Sequence, residues 1–280
     1  MDYADLVKQL GIFEKSPESL LSLFFLTLGR IAPIISLVPF FGARVLTHPV
    51  KAGLSFSFVI VVMPKVAHSI SGPLEFNGLL MFLLIKELFI GFILAFFIGL
   101  PFLIVSSSGL LIDHQRGAAS LMMNDPTLQN QSSPIGTLYN MVLIVLFYLT
   151  DAPFHVLDTI FSSFDLVAPD SFLSSLLFIP QTPLHVRITT TLQSFAEMSV
   201  QFAMPAMLTI LMTDTFLGII NRLAPNIHIT FLGMGFKSWL AILIVCVGWS
   251  PMVQFMSQQI TKWMFEFSHL IQEVAIGQLA

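Results

Sequence analysis

Asp113-His114-Gln115-Arg116-Gly117, then Asn124-Asp125-Pro126, then Ser132-Ser133-Pro134, make a polar interruption between the long apolar runs 79–112 and 135–150. Lipid offers no hydrogen-bond partner to a turn-rich backbone, so such a stretch must be enclosed by protein or face water. The interruption, residues 113–134, is therefore the first candidate for a pore, gate or binding site.

The rest of the chain supports a membrane setting. Of 280 residues, 55% are hydrophobic and only 10% charged, and the mean hydropathy is +0.87. Soluble domains carry about 25% charged residues. The apolar runs continue at 17–41, 52–70, 188–220 and 229–256, with a mixed stretch at 154–179. A span needs about 20 apolar residues. Runs 79–112 and 188–220 exceed that and contain Pro101 and Pro205, so both are expected to be broken or kinked helices. Ser16-Pro17 has the form of a helix start. No linker divides the chain, and the expectation is one all-α unit over residues 1–280. At the N-terminus acidic and basic residues alternate with apolar ones, which is an amphipathic segment rather than a cleavable signal.

Net charge is −4, which gives a nucleic-acid role no electrostatic support. A single cysteine, Cys246, excludes an intramolecular disulfide and any cysteine metal cluster. No Lys or Arg occurs in residues 118–186, whereas Asp125, Asp151, Asp158, Asp165 and Asp170 do. Loops poor in basic residues tend to lie outside the cytoplasm, so residues 117–186 are expected there. Asp151, Asp158 and Asp165 recur every seven residues and place an acidic face on an amphipathic helix. That face is either a solvated surface or a charged vestibule.

Several charges sit where lipid would forbid them. Arg30, Glu87, Glu197, Asp214 and Lys237 lie inside apolar runs, with Lys86 beside Glu87. Each costs roughly 2.5–3.5 kcal/mol at a bilayer centre. They must pair, face water or face other subunits. Gln193, Glu197 and Gln201 are spaced by four and form one polar stripe on a helix, with Met204 and Leu208 on nearly the same line. The stripe is either an internal seam or the wall of a conduit or partner interface. Gly91, Gly99 and Gly109 suit close helix contact. Met122 and Met123, inside the interruption, are soft enough to seal against varied surfaces.

Catalytic motifs are absent. The chain has no His-Glu-x-x-His, no phosphate-binding loop, no Gly-x-Ser-x-Gly elbow and no histidine pair at metal-ligand spacing. Neither an enzyme nor a cofactor is expected. A small-solute or ion transporter with a site between broken helices is the main alternative class, but no internal repeat of the usual transporter kind is evident.

Four ordered blocks resemble the FliR/SctT family of export-gate subunits in bacterial flagellar and type III secretion systems. The first is Arg30, Pro39, Phe41-Gly42, Pro49, Lys51 and Pro64, and the second is Glu87 with Gly91 and Gly99. The third is Ile112-Asp113-His114-Gln115-Arg116-Gly117, Asp125-Pro126 and Ser133-Pro134-x-Gly136. Its Gln-Arg-Gly form is similar to the injectisome branch. The fourth is Gly218-Ile-Ile-Asn221-Arg222-Leu-Ala-Pro225, with Phe231, Gly233 and Lys237-Ser238. Pro225-Asn226-Ile227-His228 departs from the family's Pro-Gln-x-Asn, and Ala152-Pro153-Phe154-His155 keeps only the histidine of its usual surroundings.

The resemblance implies tilted helical hairpins in the bacterial inner membrane, assembled into a larger helical export gate. It implies FliP/SctR-like, FliQ/SctS-like and FlhB/SctU-like partners, the last an autoprotease switch subunit, and unfolded protein substrates in transit. It also implies that the interruption plugs the closed channel through Asp113, Gln115, Arg116, Gly117, Asp125 and Pro126. Physical reasoning adds Met122 and Met123 as sealing contacts. Arg30, Glu87, Glu197, Gln201, Asp214, Asn221, Arg222 and Lys237 are expected as buried polar or partner-interface residues.

Overall fold

A computed structural model describes residues 17–42, 46–70, 76–117, 133–171, 183–223 and 229–277. Among them the chain is all-helical. The helices are α1 (Pro17–Leu37), α2 (His48–Ser69), α3 (Gly78–Gln115), α4 (Pro134–Leu149), α5 (Ala152–Leu166), α6 (Pro183–Leu223), α7 (Ile229–Val247) and α8 (Trp249–Gly277). A single 3-10 turn, Pro39–Phe41, follows α1.

Proline opens many of these elements. Pro17 and Pro183 are the first residues of α1 and α6, and α2, α4 and α5 carry proline in the first helical positions. A first-turn N–H has no partner within its own helix, so losing it there costs little. Pro101 and Pro205 stand differently, inside the continuous helices α3 and α6. Both helices run on through their prolines, so of the two expected forms, broken or kinked, neither helix is broken. Each proline removes one rung from a ladder of 38 or 41 residues, and the remaining rungs carry the helix on. The break comes instead within the run 229–256, where α7 and α8 meet at Gly248 with a bend of 63°. Gly248 has high backbone freedom, and Pro251 cannot donate to the carbonyl one turn earlier.

Among the described residues four helices are long and apolar enough to cross a membrane, or up to six spans if each bent pair counts as one. Their own chain covers them unequally. The α1 and α3 spans are 50% and 56% buried, whereas the α2 and α6 spans are only 28% and 22% buried.

Two compact units are present, each assembled from non-contiguous segments. The first comprises residues 1–99, 151–186 and 262–280. Its core includes Leu23, Leu26, Ile31 and Ile34 of α1 and Leu80 and Leu83 of α3. Val59, Val62 and Val66 of α2 and Val156, Ile160 and Phe164 of α5 are also buried. Phe97 stacks on Phe267 at 5.6 Å, and the Trp263 indole N–H donates to the Phe97 carbonyl at 3.2 Å. The second unit comprises residues 100–150 and 187–261. It buries Phe102, Ile112, Tyr139, Leu143 and Phe147, together with Ala203, Ala206, Ile210 and Ala241.

Candidate functional site

The second unit contains the base of the polar interruption. The last turn of α3 carries Asp113, and Gly117 ends the helix with φ +98°, a left-handed conformation that glycine adopts freely. On the other side Ser133 caps α4, its hydroxyl oxygen accepting the Gly136 N–H at 2.9 Å. Pro134 has no N–H, and the next donor, Ile135 N–H, reaches the Asp113 carboxylate at 3.0 Å. Ser133 O–H donates to the same carboxylate oxygen at 2.5 Å. The first donors of α4 are thereby satisfied, and a buried negative charge sits at its positive end.

Asp113 thus ties the two ends of the interruption together. Its other oxygen lies 2.7 Å from Arg116 Nε, at ion-pair distance but off the line of a hydrogen bond. Arg116 reaches on to α7, donating to Ser238 Oγ at 3.3 Å. Two glycines permit this geometry. A Cβ on Gly109 would collide with the Gly136 backbone, and one on Gly136 would lie 2.7 Å from the Ser106 carbonyl. Here α3 and α4 cross backbone to backbone. Of the residues expected to form the plug, Asp113 and Arg116 meet in this clamp, while Gln115 and Gly117 lie beside it at the end of α3. Met122, Met123, Asp125 and Pro126 lie outside the described residues.

The first unit contains a buried charge network. Arg30 and Glu87 are both fully buried and pair through two bonds, Nε–Oε2 at 2.5 Å and Nη2–Oε1 at 2.8 Å. Arg30 Nη1 also donates to the Ser163 carbonyl at 2.6 Å and to Ser163 Oγ at 3.3 Å, and Nη2 donates to the Val167 carbonyl at 2.8 Å. All five guanidinium donors are used. The guanidinium also stacks 4.1 Å above the Phe164 ring. Lys86 Nζ lies 2.9 Å from Glu87 and donates to the carbonyls of Ala168, Pro169 and Ser171 at 3.0, 3.2 and 2.7 Å.

The C-terminus of α5 has no basic residue of its own in its last turn. Arg30 from α1 and Lys86 from α3 supply the positive charge its exposed carbonyls favour. Gly91 is what brings them together, since a Cβ there would strike the Arg30 carbonyl. Glu87 and Gly91 are one turn apart on the same face, so Glu-x-x-x-Gly reads physically as an ion-pair acceptor followed by a close-approach point.

Other expected residues are placed differently. Asp214 and Lys237 join α6 to α7 as a partly exposed ion pair. Glu197, Gln201, Asn221 and Arg222 are exposed on α6, so the expectation of burial does not hold for them within this chain. Glu197, Gln201 and Arg222 lie opposite the covered face of α6, and Asn221 lies on the line of Ala203 but near the C-terminal end of the helix, beyond the buried residues. Gln193 donates to Glu197 at 3.0 Å along the stripe. Asp151, Asp158 and Asp165 are exposed as an outer acidic face of α5, and Asp165 pairs with Lys65 at 2.8 Å. Among the described residues no group of three His, Cys, Asp or Glu side chains could hold a metal ion.

Sequence reasoning did not rank Lys86, Ser133 or Ser163 among the site residues. Lys86 and Ser133 had visible signals, a lysine in an apolar run and a Ser-Pro helix start. Ser163 acts largely through its backbone carbonyl, which no residue pattern discloses.

The chain is similar in sequence to known proteins. Relatives include the surface presentation of antigens protein SpaR of Salmonella typhimurium, 24% identical over 85% of this chain and 89% of the relative. The Yop proteins translocation protein T of Yersinia pestis is 28% identical over 79% of this chain and 83% of its own length. The flagellar biosynthetic protein FliR of Bacillus subtilis is 26% identical over 80% and 85% respectively. The family model described as bacterial export proteins, family 1, matches residues 21–263, so both buried clusters fall inside it and the chain belongs to that family.

Proposed function

We propose that this chain is a core export-gate subunit of a type III protein secretion apparatus, of the injectisome type, in the bacterial inner membrane. It contributes helices to the wall of a path for unfolded polypeptides and works beside FliP/SctR-like, FliQ/SctS-like and FlhB/SctU-like membrane subunits. Residues 117–186 face the extracytoplasmic side. Residues 113–134 close the path between export events, with Asp113, Gln115, Arg116 and Gly117 at the base of the plug and Met122, Met123, Asp125 and Pro126 within it.

The observation that carries this reading is the Asp113 clamp. One buried carboxylate holds the helix end before the interruption to the helix start after it. A polar segment inserted between apolar helices is thereby anchored at both ends, as a stopper requires. The names of the relatives, which speak of translocation and flagellar biosynthesis, support the same reading.

The test is made in the assembled secretion system. Shortening residues 121–131 is expected to let small solutes leak across the membrane and to alter secretion. Unchanged solute retention together with unchanged secretion rejects the plug role.

A further inference from the structure

Pro101 lies inside α3 and has no backbone N–H to donate. In a helix that donor would go to the carbonyl four residues earlier, which is that of Phe97. The Phe97 carbonyl thus loses its rung, in a helix apolar enough for a membrane. An acceptor left unpaired in such surroundings is costly.

A donor from another helix meets it. The Trp263 indole N–H, on α8, reaches this carbonyl at 3.2 Å. Indole has one donor and no acceptor, so it satisfies a lone carbonyl without adding an acceptor that needs a partner of its own. One turn further along α8 the Phe267 ring stacks on the Phe97 ring, with planes 18° from parallel. Met264, between them in sequence, is buried. Two residues from one face of α8 therefore hold a single residue of α3, one by its backbone and one by its ring. A slip of α8 by one residue would rotate both side chains by about 100° and lose both contacts.

We infer that Trp263 is a positioning residue that supplies the hydrogen bond Pro101 removes from α3. Together the two residues fix the register between residues 262–277 of α8 and residues 78–99 of α3. The proline marks a free acceptor, and the tryptophan is the side chain that reads it.

The experiment uses the full chain in one detergent, as the unaltered protein, Trp263→Phe, Pro101→Ala and the double variant. Trp263→Phe keeps an aromatic ring and loses the N–H. Pro101→Ala returns an N–H that can pair with the Phe97 carbonyl within α3. Trp263→Phe is expected to shift the unfolding equilibrium toward the unfolded state by roughly fivefold or more when residue 101 is proline, and by less than roughly twofold when it is alanine. In parallel, exchange of the indole N–H groups is followed by NMR on tryptophan-labelled protein. The Trp263 signal is assigned with Trp239→Phe and Trp249→Phe. Its exchange is expected to be about tenfold faster in Pro101→Ala, where the helix takes up its acceptor.

An equal cost of Trp263→Phe in both backgrounds overturns the inference, because the indole then contributes ring packing alone. Exchange at Trp263 that Pro101→Ala leaves unchanged overturns it too. If Trp263→Phe accumulates only together with Pro101→Ala, the coupling is present in its extreme form. If it accumulates in neither background, the exchange measurement decides.

Discussion

Glu87 balances two cations, Arg30 and Lys86, in a place that water does not reach. Removing one member of a buried charge set costs about 3–5 kcal/mol, because the remaining charge is left uncompensated. Glu87→Ala is therefore expected to destabilise the protein by that amount in denaturant unfolding in detergent. Replacing Arg30, Lys86 and Glu87 together by methionine should recover much of the loss, since no charge is then left without its partner. Asp113→Ala leaves the Ile135 N–H without its acceptor, at a cost of about 1–3 kcal/mol. Faster hydrogen exchange at the start of α4 is the expected signature, with a smaller effect for Asp113→Asn, which keeps an acceptor oxygen. Arg30, Glu87 and Asp113 could all be picked out from the chain alone, because a charge or polar run amid apolar residues must be satisfied. Their partners could not, since Arg30 meets groups 57, 133 and 137 positions away.

Helix crossings decide those partners, and glycine decides the crossings. In the sequence Gly91, Gly99 and Gly109 look alike. In space, a Cβ on Gly91 or Gly109 runs into backbone, whereas one on Gly99 meets nothing within 4 Å. Gly91→Ala and Gly109→Ala are each expected to lower stability by about 1–3 kcal/mol, because the neighbouring helix must move. Gly99→Ala is expected to be neutral or to gain up to about 1 kcal/mol from helix propensity. Thermal unfolding of the three variants in one detergent separates the cases. Helix existence was legible from the apolar runs and their proline starts. The break at Gly248 was harder to read: Gly248 and Pro251 mark it, but they sit in a run that is otherwise apolar, and helices α3 and α6 run on through comparable prolines.

For the whole molecule, uncovered surface matters more than the core. Phe82, Phe89, Met212 and Trp239 are exposed on helices apolar enough for a membrane. Their environment must come from lipid or other proteins. If residues 117–186 face the extracytoplasmic side, as proposed, Asp151→Cys in a Cys246→Ser background reacts with an impermeant maleimide added to intact cells with a permeable outer membrane. Protection until the cells are lysed would reverse the proposed orientation.

The buried cluster of the first unit also imposes an order on biogenesis. Arg30 leaves the ribosome 133 residues ahead of the Ser163 carbonyl it binds, and 57 residues ahead of Glu87. Until Glu87 emerges the guanidinium sits in nascent α1 with none of its final partners made, and its set is complete only when Val167 has been translated. Until then α1 needs a hydrated or proteinaceous waiting place. A chain truncated after α4 is therefore expected to be degraded much faster than the full-length protein in a pulse-chase measurement.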